Sequence, residues 1–162
     1  MSGGKQSFSI KADTSGLERW LDELGDAAEE AARPAAQAAA QVLYDEVKRN
    51  VGRIKRKTGN LERSIYQVFS ASKSDQGKAT YHVSWNARKA PHGHLVEFGH
   101  LQRYEVSFDP NTKRFTTHKD RPLAAPKLVA ARPFLRPAMA KFSQALEAAK
   151  AELFRRLDDK LR

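Results

Sequence analysis

Three histidines and a glutamate form the segment of this sequence whose side chains come nearest to a metal-binding set. His92, His94 and His100 lie close together along the chain, with Glu97 between the last two. Imidazole and carboxylate groups are common zinc ligands, but this spacing does not gather them. On a strand, His92 and His94 share a face and Glu97 points away; on a helical turn, His94 and Glu97 share a face and His92 lies opposite. We therefore expect no metal site, and polar residues at a turn or subunit boundary instead.

No other pattern in the sequence indicates catalysis. It contains no Gly-x-Ser-x-Gly elbow, no phosphate-binding loop and no Gly-x-Gly-x-x-Gly fingerprint. The absence of cysteine excludes thiolate chemistry and disulfides, and it fits folding inside a cell. Carboxylates are scattered over helical patterns, where they are typical of solvated surfaces. We expect a protein that is not an enzyme and that holds no cofactor.

The formal net charge of +10 is divided unevenly along the chain. Between Glu18 and Glu30 there are six acidic residues and one arginine, whereas the region from Arg103 to Arg136 is basic. Such a division suits head-to-tail association of copies, docking on a charged partner, or contact with DNA phosphates. A further interpretation of the densest basic run is that it forms the solvated C-terminus of a helix, where positive side chains interact favourably with the helix dipole. That run consists of Lys48, Arg49, Arg53, Lys55, Arg56 and Lys57.

Hydrophobic periodicity predicts a single α+β domain over residues 1–162, with a small antiparallel sheet packed against two long helices. Leu17, Trp20, Leu21 and Leu24 recur at helical spacing, and Pro34 should kink or split the first helix. A second hairpin is expected around Asp109–Thr112. The predicted elements are a strand over 7–12, a helix over 15–51 kinked near Pro34, a sheet and hairpin region over 64–116, an extended loop over 117–132 and a C-terminal helix over 133–161.

The apolar stripes of both long helices are expected to face the core. In the C-terminal helix the stripe includes Met139, Phe142, Leu146 and Leu153. Phe154 lies off this stripe, which makes it a candidate for contact with a neighbouring subunit. No apolar run approaches the roughly 20 residues needed to cross a bilayer. We therefore expect a soluble protein of the cytoplasm.

Three short strings join glycine or proline to large apolar residues and so direct how elements connect. The first, residues 58–61, is a turn whose Thr58 or Asn60 could cap a short helix. The second is residues 96–99, and the third, residues 132–138, places two prolines around Phe-Leu directly before the last helix. The positions of interest are Thr58, Gly59, Asn60, Leu61, Glu97, Phe98, Gly99, Pro133, Phe134, Leu135, Arg136 and Pro137.

In this order and spacing, the three strings resemble the tail-component family of tailed-phage neck proteins, which includes tail-completion proteins. The resemblance implies a structural virion protein that forms a ring, with six subunits expected, and places the listed positions at subunit or partner interfaces. Its implied neighbours are a head-completion or connector protein and a tail-terminator or tail-tube protein, with phage DNA passing through the lumen without sequence-specific contact. The implied location is the head–tail junction, after assembly in the host cytoplasm. A DNA-binding accessory protein without ring assembly is the alternative.

The sequence departs from the family pattern at two places. His100 stands where a small hydroxyl residue often follows the glycine, and the loop over 101–131 is long.

Overall fold

The computed structural model describes residues 15–54 and 58–162, and it has the predicted α+β class. The predicted strand over 7–12 lies outside the described residues, as do Lys55, Arg56 and Lys57. Short 3₁₀ turns at Ala71–Lys73 and Arg136–Lys141 complete the set of elements. In chain order the helices and strands are α1 Ser15–Arg53, α2 Asn60–Ser64, β1 Ile65–Phe69, β2 Tyr81–Trp85, α3 Gly93–Phe98, β3 His100–Asp109, β4 Arg114–Val129 and α4 Phe142–Leu161.

Helix α1 is the central element of the fold. It runs for 39 residues and continues through Pro34, so the chain forms one helix here rather than two. Helix α4 lies antiparallel along it: Ala145, near the start of α4, is buried, and Lys160, near its end, forms an ion pair with Glu30. None of the helices within residues 15–54 and 58–162 contains an apolar stretch that could span a bilayer.

The α1–α4 contact is made through small side chains. Ala27, Ala31 and Ala35 on α1 and Ala145 on α4 are buried. Alanine lets two helix backbones approach closely, so the larger residues are displaced to the flanks of the contact. The prediction that the large apolar stripes face the core is therefore wrong for several members, which are exposed. These are Trp20, Leu21, Met139, Phe142 and Leu146.

Two separate antiparallel pairs of strands replace the single small sheet of the sequence prediction. Strand β1 pairs with β2 from Ile65↔Trp85 to Phe69↔Tyr81. The second pair, β3 and β4, forms a long hairpin from His100↔Val129 to Asp109↔Arg114, with irregular pairing on both sides of Tyr104. The hairpin around residues 109–112 matches the expectation from the sequence.

The prediction of an extended loop over 117–132 is wrong for most of its length, because β4 continues to Val129. The prolines of this segment argued against a strand, since proline cannot donate to a ladder. In a two-stranded ribbon, however, half of the backbone N–H groups face outward and need no partner strand. Pro122 stands opposite Tyr104 where the register shifts, which is a position that tolerates proline.

The main core lies between the C-terminal half of α1, the first sheet and the segment that precedes α4. Phe134 is fully buried in it, and Trp85 meets the Phe134 ring edge-on at 5.7 Å between centroids. The final helix begins later than predicted: residues 133–135 are not helical, and a 3₁₀ turn precedes α4. The buried residues of this core are Val47, Val51, Leu61, Ile65, Ala90, Phe134 and Ala138.

Candidate functional site

The carboxylate of Glu97 joins the second sequence string to the third. One of its oxygens, Oε2, accepts the backbone N–H groups of Phe134 at 2.7 Å and Leu135 at 3.0 Å. The other, Oε1, accepts the backbone N–H of Arg136 at 3.1 Å and its Nε at 3.2 Å. Three successive N–H groups thus surround one carboxylate, in the manner of an anion at the start of a helix. We call this arrangement the Glu97 junction.

The backbone on both sides of the junction is fixed by short contacts. Gly99 ends α3 with φ of 72°, a conformation that favours glycine. A Cβ at this position would lie 2.7 Å from the carbonyl oxygen of Val129. The N–H of Arg132 donates to the carbonyl oxygen of Val96 at 2.8 Å. The chain therefore leaves the core through Gly99 and returns to the same place after the hairpin.

Glu97 is charged although its side chain is only 1% exposed. Burial opposes ionisation, but the hydrogen bonds from Leu135, Phe134 and Arg136 outweigh it and hold the pKa of Glu97 below its ordinary value. The positive partner, Arg136, also donates from Nη2 to the Glu97 carbonyl oxygen at 2.8 Å. The buried charge is thus paired and fully hydrogen-bonded, as a buried charge must be.

The junction holds Phe134 in the core and so brings all three strings together. Phe134 packs in one cluster with Leu61 of the first string, and Val96 of the second packs against the same cluster. From α1, Asn50 donates through Nδ2 to the Phe134 carbonyl oxygen at 3.2 Å. The strings are far apart in sequence, and their meeting point ties α1 to the start of the last helix.

The first string forms a turn, but it does not cap α2 as predicted. Gly59 occupies the N-cap position with φ of 70°, and no side chain provides the cap hydrogen bond. Instead Thr58 Oγ1 accepts the N–H of Asn60 at 3.3 Å. Arg63 closes the turn by donating to Asn60 Oδ1 at 2.8 Å.

Several of the string residues are exposed and are available for contact with other molecules. The side chain of Phe98 is 64% exposed, and the Arg136 guanidinium lies 5.1 Å from the centre of its ring. Pro137 is exposed as well. An open cleft of about 480 Å³ lies beside the third string and is lined by Asn50, Arg53, Ile54, Arg132, Pro133 and Pro137. The interface role of the whole set stays a prediction, in which buried Leu61, Glu97 and Phe134 position the exposed members.

The described part of the basic run is engaged within the subunit. Lys48 donates to the Glu62 carbonyl oxygen at 2.9 Å. Arg49 forms an ion pair with Glu46, and Arg53 lies at 3.5 Å from Asn50 Oδ1. These contacts account for the conformation of the run without DNA, so its contact with DNA or a partner stays a prediction.

The histidine segment adopts the helical alternative, since α3 begins at Gly93. His94 is exposed, whereas Glu97 is turned inward and occupied by backbone donors. Burial lowers the pKa of His92, and the nearby His94 adds to this effect. Within residues 15–54 and 58–162, no three His, Cys, Asp or Glu side chains are grouped so that they could hold a metal ion.

Sequence reasoning assigned Glu97 to an interface and missed its internal role. A signal was present: Leu95, Val96 and Phe98 surround Glu97 with apolar residues, and a carboxylate buried among them needs several donors. The exposed apolar residues of α1 were missed as well, because Trp20 and Leu21 fit a core stripe equally well. Whether such a stripe is covered depends on where the partner helix ends.

Comparison with known proteins supports a phage origin. The family model described as "Bacteriophage HK97-gp10, putative tail-component" matches residues 15–99, from the start of α1 to the glycine after α3. No curated protein and no solved structure matches the chain. The matched stretch holds the first two strings and exceeds half of the chain. The protein therefore belongs to the HK97-gp10-like family of bacteriophage tail components.

Proposed function

We propose that this protein is a non-enzymatic structural component of the phage neck, where it completes the tail and joins it to the head. In this proposal, copies of the chain form a ring, with six subunits expected from the resemblance described above. The ring lies between a head-completion or connector protein and a tail-terminator or tail-tube protein, and DNA passes through its lumen. The observation that carries the proposal is membership of the tail-component family over residues 15–99.

The arrangement of rigid and exposed parts supports an assembly role. The Glu97 junction fixes Phe134 in the core and thereby fixes the start of α4 against α1. Large apolar side chains remain exposed at the surface of this fixed frame, among them Phe98 and Phe142. Exposed apolar residues on a fixed frame are typical of surfaces that become buried in a complex.

A DNA-binding accessory protein is less well supported. Lys48, Arg49 and Arg53 all have partners inside the subunit. A protein that bound duplex DNA mainly through phosphates would show an affinity that falls steeply with salt concentration. We expect the isolated protein to bind duplex DNA weakly and without sequence preference.

The proposal is tested with phage that lack this protein. Electron microscopy of lysates should show separate filled heads and separate tails, and infectivity should be lost. Supplying the wild-type chain from a plasmid should restore joined particles. A chain with Glu147→Gln should restore joined particles equally well, because Glu147 lies on the exposed surface of α4 and pairs there with Lys150.

Normally joined and infectious particles in the absence of the protein would refute the neck assignment. Loss of infectivity with joined particles would instead point to a role after assembly. Antibody labelling of wild-type particles then gives the location directly, and label anywhere other than the head–tail junction would contradict the proposal.

A further inference from the structure

The β3–β4 hairpin has one apolar face. Side chains alternate between the two faces of a strand, so Tyr104, Val106 and Phe108 share one face of β3. Across the ladder, Phe115 pairs with Phe108, and their ring centroids are 4.8 Å apart. Tyr104 is 38% exposed and Val106 is 43% exposed. We call this surface the ribbon face.

Towards the tip of the hairpin the opposite face is polar, whereas nearer the base it carries the exposed pair Leu101 and Leu128. Glu105 pairs with His118 and Ser107 with Thr116, and the Ser107 hydroxyl lies 2.9 Å from His118 Nε2. Hairpins of two strands are marginally stable in water unless an apolar face is covered. In the outer part of the hairpin, the contrast between the two faces favours the ribbon face as a docking surface.

A second exposed apolar surface lies at the other end of the subunit. Helix α4 covers α1 as far as Glu30, which pairs with Lys160, and Ala27, which is buried; the turns of α1 before Ala27 extend past α4. In these turns Trp20 is 48% exposed and Leu21 is 51% exposed. We call residues 15–30 the α1 end.

The two surfaces do not meet within one subunit, because both are exposed there. The base of the hairpin lies near Phe134, to which Asn50 of α1 is hydrogen-bonded. Trp20 and Asn50 are separated by roughly 45 Å along the helix axis at 1.5 Å per residue. One copy therefore offers its two surfaces to two different neighbours.

The surfaces are complementary in charge and in length. The α1 end contains six acidic residues and one arginine, whereas the segment from Arg103 to Arg136 contains eight basic and three acidic residues. From Tyr104 to Phe108 the ribbon face spans roughly 14 Å at 3.4 Å per residue. The apolar helix positions from Trp20 to Leu24 span roughly 6 Å at 1.5 Å per residue, so they fit within the length of the ribbon face.

We propose that the α1 end of one copy docks on the ribbon face of the next copy, with acidic and basic side chains flanking the apolar contact. The contact joins two different surfaces, so it repeats from copy to copy and closes into a ring when the rotation between copies permits. The proposal rests on the proposed function only for its setting in the phage neck. The contact itself concerns the purified chain.

Two variants and their mixture test the proposal. Trp20→Asp removes the α1 end as a donor surface, and Val106→Asp removes the ribbon face as an acceptor surface. Each variant alone should be monomeric in light scattering coupled to size-exclusion chromatography. Mixed together, they retain one good surface each and should form a dimer that cannot grow, because its two free surfaces are the damaged ones.

A charge exchange provides a second measurement in case Val106→Asp disturbs the hairpin. Asp22→Lys with Glu23→Lys should abolish assembly, as should Lys119→Glu with Arg121→Glu. Mixed together, these two double variants should co-assemble with the two chains alternating, because each surface then meets one of opposite charge. A single chain that carries all four changes should also assemble again. Circular dichroism checks that every variant is folded.

Three results would overturn the proposal. The first is wild-type protein that stays monomeric up to its solubility limit and gives no crosslink between Asp22→Cys and Arg121→Cys chains mixed with a bifunctional thiol reagent. The second is assembly of the Trp20→Asp variant like the wild type, as expected if the exposed residues of α4 form the contact instead. The third is failure of the four-change chain to recover assembly. None of these results bears on whether particles lacking the protein have separate heads and tails.

Discussion

Removing the charge of Glu97 should destabilise the whole subunit. In the Glu97→Gln variant, one oxygen is replaced by an NH₂ group, whichever way the amide is turned. That group then faces two donors, either the N–H groups of Phe134 and Leu135 or the N–H and Nε of Arg136. Two hydrogen bonds to a charged group are lost, each worth about 1.5–3 kcal/mol.

The expected loss in the free energy of unfolding is therefore at least about 3 kcal/mol, which agrees with the cost of breaking a buried ion pair. For a chain of this length, that corresponds to a decrease in Tm of about 6–12 °C. Urea unfolding followed by circular dichroism measures the loss as a shift in midpoint at constant slope. Glu147→Gln is the matched control and should leave the midpoint almost unchanged, because surface ion pairs contribute little.

The difference between wild type and the Glu97→Gln variant should also depend on pH. The folded-state pKa of Glu97 is below the ordinary value of 4.5. The unfolded chain therefore takes up a proton first as the pH falls, so the stabilisation is complete above pH 4.5 and is lost as the pH falls through the folded-state pKa. Equal midpoints for the wild type and both variants at neutral pH would refute the reasoning about the junction.

Two further substitutions test the packing of the subunit. Gly93→Ala should destabilise the subunit by about 1–3 kcal/mol, because the new Cβ would lie 2.3 Å from Trp85 Nε1. Thermal unfolding measures this loss as a lower Tm. The control Gly25→Ala should instead raise Tm, because nothing lies within 4 Å of that helical position and alanine favours a helix more than glycine does. Ala145→Leu should force α4 away from α1 and lower the midpoint of urea unfolding. Ala151→Leu, on the exposed side of α4, should leave that midpoint unchanged. Equal midpoints for the two leucine variants would contradict the alanine contact.

The periodicity of the sequence was sufficient to predict the long helices and their class of fold. A helix of 39 residues shows its apolar periodicity clearly in the sequence. One proline did not divide this helix, because its missing N–H removes only one hydrogen bond from a long cooperative element. The strand β4 was not predictable in the same way. Its prolines and exposed side chains resemble those of a loop, and only pairing with β3 gives it regular structure.

The sequence was sufficient to predict which positions form the candidate site, but not which contacts those residues make. Glu97 and Phe134 stood out because they belong to strings with glycine and proline, yet 37 residues separate them in sequence. The hydrogen bond between them requires the hairpin to return to its starting point, and no local pattern encodes that return. The exposed apolar residues of α1 and α4 were assigned to the core for a related reason. Periodicity shows which residues share one side of a helix, but it does not show whether another element covers that side.

The base of the hairpin shows how this fold can separate stability from assembly. His100 pairs with Val129, and Arg132 bonds to Val96, so the whole hairpin leaves and re-enters the core at one point. Its length and side chains can then change without altering Glu97 or the groups bonded to it, because extending a closed loop costs little. The family match ends at Gly99, directly before the hairpin begins. The match thus leaves out both the hairpin and the Phe134–Arg136 side of the Glu97 junction, so the fold of the matched part depends on a segment that lies beyond it.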